Sequence, residues 1–232
     1  RSYQVPALGK CERLIVARGR FITLEGGEGA GKSTQIALLV SHLQSLGHET
    51  IETREPGGSP GAEKIRDLLI NGPTDRWDGV TEALLHFAAR REHVQKTILP
   101  SLERGAWVLC DRFADSTLAY QGYGHGVDHG FIQTLYRETV GDLEPDLTLI
   151  LDIPVEQGLK RADTRGSGGT RYERMDQAFH TRLREGFLDI ARRNPQRCTV
   201  IDATASIDQV AAEIRRLVDE KMTPNGSPAD HG

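Results

Sequence analysis

The stretch "RFITLEGGEGAGKSTQ", residues 20–35, leads from apolar and β-branched residues into glycines that close on a lysine and two hydroxyls. Gly26, four residues, then Gly31-Lys32-Ser33 completes the pattern G-x-x-x-x-G-K-[ST] between a strand-like run and a helix start. Around Gly26, Gly27, Gly29, Ala30 and Gly31, backbone N–H groups can point into an anion-sized nest. The helix N-terminus adds its positive dipole end, and Lys32 can reach the outer phosphates of a nucleoside triphosphate such as ATP. Ser33 can set a hydroxyl on Mg²⁺, with Thr34 beside it. Glu28 is odd in such a nest, because its charge repels phosphate. The chemistry implied is phosphoryl transfer, which needs an acceptor.

Four further stretches carry groups suited to that task. In "TREPGGSPGAEKIRDLL", residues 53–69, Arg54 ends a strand, where a guanidinium can face the ligand crevice of a parallel sheet. Taken alone, it is an ordinary surface cation. In "TEALLHFAARREH", residues 81–93, Ala83, Leu84, Phe87 and Ala88 form a helical apolar stripe whose default meaning is core packing. "WVLCDRFADSTLAYQGYG", residues 107–124, ends an apolar strand in Asp111-Arg112, a carboxylate for the metal and a cation for the transferring phosphates. Thr117 and Gln121 follow at i, i+4 spacing, so both can face one ligand, while Ser116 either assists them or caps the helix. Finally, "LKRADTRGSGGTRYERMD", residues 159–176, sets Arg161, Arg165, Arg171 and Arg174 around a flexible "GSGG".

Other classes fit poorly. A chain of 232 residues buries one good core, and 29 basic against 33 acidic residues make no general basic field, which argues against a nucleic-acid polymer as partner. Cys11, Cys110 and Cys198 form no CxxC pair, which predicts a reducing, cytoplasmic setting without a disulfide framework or zinc. No apolar run approaches membrane-helix length. GTPases use a base-reading N-K-x-D, absent here. A small kinase is the natural class; a kinase of another acceptor and a nucleotide-dependent switch without turnover are the competing readings.

These groups need a scaffold that delivers them to one edge. "RFITLE", "HETIET", "AWVLCD", "LTLILD" and "CTVID" read as strands, several apolar on both faces. Helical patterns fill the gaps at 32–46, 61–69, 81–102, 116–121, 128–140, 155–161, 175–193 and 207–221. The alternation predicts a doubly wound α/β domain with a five-stranded parallel sheet over residues 20–221. Residues 1–19 read as an extension outside the fold, and 222–232, rich in Pro, Gly and Ser, as a disordered tail.

From 20 to about 220, these motifs and their order resemble bacterial thymidylate kinases, of the type whose catalytic arginine sits on a lid. The resemblance implies a P-loop kinase fold with a small mobile lid at about 159–176. It also implies transfer from MgATP to thymidine monophosphate, and a homodimer. By analogy, Arg54 approaches the acceptor above a turn shaped by Pro56, and an aromatic residue stacks on thymine. Phe87 is the favoured stacking residue and His86 the alternative. The analogy continues with Arg90 reaching the base or phosphate, Ser116, Thr117 and Gln121 at the thymine edge, and Tyr120 near the sugar. Glu28 takes the acceptor's 3′-hydroxyl, and Arg112 reaches the phosphates. Some relatives carry an arginine in the loop where this chain has Gly29, so the charge is expected from the lid, first Arg165 and then Arg171.

Overall fold

The protein is described by a computed structural model over residues 18–164 and 170–222; residues 1–17 and 223–232, with the readings made for them, lie outside the described residues, as does 165–169. Five strands, β1 (Phe21–Glu25), β2 (Thr50–Arg54), β3 (Trp107–Asp111), β4 (Leu147–Asp152) and β5 (Cys198–Asp202), form one sheet in the order β2-β3-β1-β4-β5. Every pairing is parallel. The register sets Asp111 beside Arg54 in β2 and Leu24 in β1, so the carboxyl ends of three strands bring charged residues to one edge. That edge, where the strand order turns back on either side of β1, is where doubly wound sheets bind ligands.

Alternation along β1 divides the core in two. Ile22 and Leu24 join Leu109, Leu149 and Leu151 under α1 (Lys32–Ser45). Phe21 points to the other face with Val108 and Cys110. There they meet Phe87 on a helix whose place in the chain follows α2 (Pro60–Ile70), namely α3 (Gly79–His93).

The helix expected over 81–102 is interrupted. It runs as α3, then a π-helical turn (Val94–Ile98), then α4 (Leu99–Glu103). Pro100 lies in the first turn of α4, where it cannot donate a backbone hydrogen bond, and the ladder is reset just before it. The expected helix over 116–121 is likewise α5 (Ala114–Thr117) followed by a π-helical turn (Leu118–Gly124). Such turns change which side chains share a face. The remaining helices are α6 (His129–Thr139), α7 (Val155–Asp163), α8 (Gln177–Arg193) and α9 (Ile207–Met222).

Both expected boundaries move outward. Gly19 is already in the fold, its N–H donating to the Leu102 carbonyl. Met222 completes α9 and is buried rather than starting a tail.

Candidate active site

The phosphate loop is shaped for an anion. Gly31, at the N-cap of α1, has φ 90°, and neither a side-chain cap nor a first-turn carboxylate occupies the helix end. The leading N–H groups therefore await an acceptor from outside. Lys32 donates to the carbonyls of Gly27 at 2.9 Å and Gly26 at 3.2 Å. Burial pushes its pKa down to about 8, and Arg112 adds to the effect against the opposing pull of Asp111, Glu28 and Glu25. The Ser33 hydroxyl donates to Asp111 Oδ2 at 2.7 Å. A hydroxyl and a carboxylate are hard oxygen donors, the set that suits Mg²⁺ when phosphate oxygens complete its shell.

The absence of a loop arginine has a steric cause. Gly29 has φ 69°, and a Cβ built there would lie 1.9 Å from the backbone oxygen of Gly158 in α7. No side chain fits while α7 stays in place.

Beside the loop, Arg112 links several groups. It adopts φ 70°, a left-handed conformation rare for arginine and common at functional sites. Its guanidinium donates to Gly26 O at 2.9 Å and to Glu28 Oε1 at 3.1 Å. Tyr120 also donates to Glu28 Oε1, at 2.6 Å, its ring lying under Arg112. Burial alone would raise the Glu28 pKa, but Arg112 and Lys32 outweigh it and hold the carboxyl below its usual range. The loop's odd acid is thus held by cations. Glu25, fully buried, accepts from Phe113 N at 2.7 Å and from the Ser116 hydroxyl at 2.6 Å. Burial, joined by the neighbouring Asp115, raises its pKa to about 8.

A cavity of about 230 Å³ runs from this loop between α2, α3 and the 113–121 segment. Its wall includes Glu28, Arg54, Pro56, Arg90, Arg112 and Tyr120, with His86, Ser116 and Gln121. Arg90 is buried, held by Glu55 Oε2 at 2.7 Å, the Phe113 carbonyl and the Thr117 hydroxyl. One guanidinium nitrogen, Nη1, is left without a protein partner. Gln121 is equally buried, its Nε2 donating to Glu82 Oε2 at 2.9 Å while its Oε1 has no partner. Both residues line the same cavity, and each keeps one buried polar atom, a donor on Arg90 and an acceptor on Gln121, without a protein partner.

Three expected positions resolve differently. Phe87, favoured for stacking, is 1 % exposed in the core under the Arg90 guanidinium, 4.7 Å from its ring. His86 is on the cavity wall instead, its Nε2 3.0 Å from the Tyr172 hydroxyl. Burial, then Arg90 and Arg171, push its pKa down to about 3, so the ring is neutral. Thr117 does not line the cavity; it holds Arg90. Arg171, the second choice for a catalytic lid arginine, is turned inward and fully buried, 2.5 Å from Glu82 Oε1 and donating to the carbonyls of Leu69 and Thr74. A cation so paired cannot also meet a phosphate. Arg161 donates to Ala203 O and Arg174 to Gly72 O, and Arg165 lies outside the described residues.

Spacing does not single out three residues of the site. Arg66 on α2 lines the cavity beside Arg54 and donates to the Pro56 carbonyl at 2.7 Å. Glu55 and Glu82 are the buried carboxylates that hold Arg90, Gln121 and Arg171. All three sit inside motifs already noted, Glu55 and Glu82 next to residues that were selected, but nothing in their own spacing distinguishes them from surface charges. A second cavity, of about 480 Å³, opens on the far side of the loop between α1 and the β5–α9 connection, lined by Thr34, Gln35, Arg161, Thr204, Ser206 and Ile207.

The family described as thymidylate kinase matches residues 24–214. A thymidylate kinase of Caulobacter vibrioides is 56 % identical over 207 residues, 89 % of this chain and 99 % of that protein. One from Nitrobacter winogradskyi is 56 % identical over 213 residues, 90 % of this chain and 93 % of its own length. The crystal structure of thymidylate kinase from Ehrlichia chaffeensis superposes with a TM-score of 0.71 at 37 % identity, covering 87 % of this chain and 99 % of that one. With the family matched over residues 24–214, and the fold and nearly the full length of these relatives in common, the chain belongs to the thymidylate kinase family.

Proposed function

We propose that this site passes the γ-phosphoryl group of MgATP in line to the 5′-phosphate of thymidine monophosphate, without a covalent enzyme intermediate. Family membership makes the reaction phosphorylation of thymidine monophosphate by ATP. The observation that carries the reading to this chain's own residues is that Arg90, with a spare donor, and Gln121, with a spare acceptor, line one cavity. Thymine offers an acceptor, O4, next to a donor, N3–H; cytosine offers the reverse. A buried polar group left unmatched costs about 1–3 kcal/mol, so the pair favours thymine.

The other roles follow from charge and reach. The neutral His86 ring is a platform for the base, and Tyr120 stands by the sugar, where its bulk opposes a ribose 2′-hydroxyl. Glu28 accepts from the 3′-hydroxyl. Arg54, Arg66 and Arg112 neutralise the acceptor phosphate; Lys32 and the loop N–H groups hold the donor's outer phosphates. Ser33 and Asp111 would hold Mg²⁺, which would neutralise phosphate charge during transfer. The second cavity suits the donor's base. Arg165 supplies charge to the equatorial oxygens, an assignment that rests on the sequence alone.

We infer a homodimer formed through α3, where Val80 and Leu84 are exposed at i, i+4 spacing. A cytoplasmic setting fits the free, buried Cys110 and Cys198, and among the described residues no helix is long and apolar enough to cross a membrane.

The test is coupled ADP release with MgATP and, separately, thymidine, deoxyuridine, deoxycytidine and adenosine monophosphates. Strong release with thymidine monophosphate, weaker with deoxyuridine monophosphate and least with the others, is expected. ATP binding with no acceptor-driven release would favour a nucleotide switch.

A further inference from the structure

We propose that Glu82 is a positioning residue that decides which base edge the cavity accepts, by holding the Gln121 amide in one of its two orientations. The inference rests on the reading that Arg90 and Gln121 face the acceptor's base. A primary amide is nearly symmetric in shape but opposite in chemistry at its two ends, so a flip of Gln121 would exchange the acceptor facing the cavity for a donor. Packing alone cannot prevent the flip; an obligate acceptor behind the amide can.

Glu82 is that acceptor. It is fully buried in the first turn of α3, and its Oε2 takes the Gln121 Nε2 hydrogen at 2.9 Å. The Tyr172 hydroxyl lies 3.3 Å from the same oxygen and His125 Nε2 3.6 Å from it. On its other side Oε1 meets Arg171 Nη1 at 2.5 Å, and Arg171 is itself tied to the carbonyls of Leu69 and Thr74. Only the NH₂ end of Gln121 can face this carboxylate, which leaves Oε1 for the ligand. Arg90 cannot invert its own role, because a guanidinium has donors only. A cytosine edge therefore meets two mismatches, donor against donor at Arg90 and acceptor against acceptor at Gln121. With a glutamine at 82, Gln121 can turn its NH₂ to the cavity and relieve the second.

The experiment compares kcat/KM for thymidine, deoxyuridine and deoxycytidine monophosphates in the wild type, Glu82→Gln and the exchanged pair Glu82→Gln/Gln121→Glu. Glu82→Gln is expected to narrow the preference for thymidine over deoxycytidine monophosphate on the order of tenfold to a hundredfold, the worth of one buried mismatch. The ratio of thymidine to deoxyuridine monophosphate should stay constant, since those bases share the edge in question. The exchanged pair restores an acceptor-only group at 121 and should recover the preference; it also carries the test where the single variant does not fold. A purely structural role would lower all three acceptors together. That result, or an exchanged pair that prefers deoxycytidine monophosphate, overturns the proposal. A wild type indifferent between thymine and cytosine would instead remove the reading of the cavity beneath it, and the inference with it.

Discussion

Two buried groups make the loop sensitive to pH. Lys32, pushed down to about 8 by burial and Arg112, loses its charge in the free enzyme just above neutrality. Bound phosphates favour the charged form, so by linkage apparent ATP affinity should fall about tenfold from pH 7 to pH 9. A titration of ATP binding at constant ionic strength checks this, and a flat profile rejects it. Glu25 behaves oppositely. Its folded pKa, raised to about 8 by burial and Asp115, exceeds the unfolded value, so the folded state binds the extra proton. Its contribution to stability is complete below about pH 4.5 and is lost as pH rises through 8. Glu25→Gln, which cannot ionise, should therefore raise the thermal midpoint at pH 8.5 relative to wild type and give no such gain at pH 4.5.

At the scale of elements, the loop and α7 are fitted to each other. Gly29 packs its backbone against Gly158 closely enough that any Cβ collides, and it does so at a φ that side chains rarely adopt. Gly29→Ala should cost about 2 kcal/mol or more and weaken ATP binding at least tenfold, because relief requires moving the loop or α7. Calorimetry with and without ATP would show both effects; a stable variant with normal affinity would mean that α7 yields easily. The same packing keeps a cationic side chain out of position 29 while α7 stays in place. Of the four arginines between 159 and 176, Arg161, Arg171 and Arg174 are committed to protein acceptors. Arg165→Ala is accordingly expected to lower kcat about 10³-fold with little change in the KM for thymidine monophosphate. An unchanged kcat would move the role to another cation.

For the whole molecule, the open question of assembly has a surface to test. Val80 and Leu84 are 45 % and 48 % exposed on α3, and Leu68, 41 % exposed, lies on the neighbouring α2. Leu84→Glu should shift sedimentation from dimer to monomer at micromolar concentration, while the wild type stays dimeric. A monomeric wild type would make these residues ordinary exposed apolar groups.

What the sequence alone determined is what short-range order can encode. The phosphate loop is contiguous, so its glycines, Lys32 and Ser33 are recognisable together, and the two-sided apolar strands announce a covered parallel sheet. Asp111-Arg112 was likewise legible because it ends such a strand. The choice between His86 and Phe87 was not, since successive residues on a helix point about 100° apart and only the packing of α3 against the sheet decides which enters the core. Arg171 illustrates the same limit from the opposite direction. Its residue type and flexible surroundings suit a mobile cation, yet a carboxylate 89 positions earlier in the chain, Glu82, holds it inside. Buried ion pairs join residues that no local pattern connects. Whether an arginine serves the ligand or the scaffold depends on which acceptor the fold brings within reach.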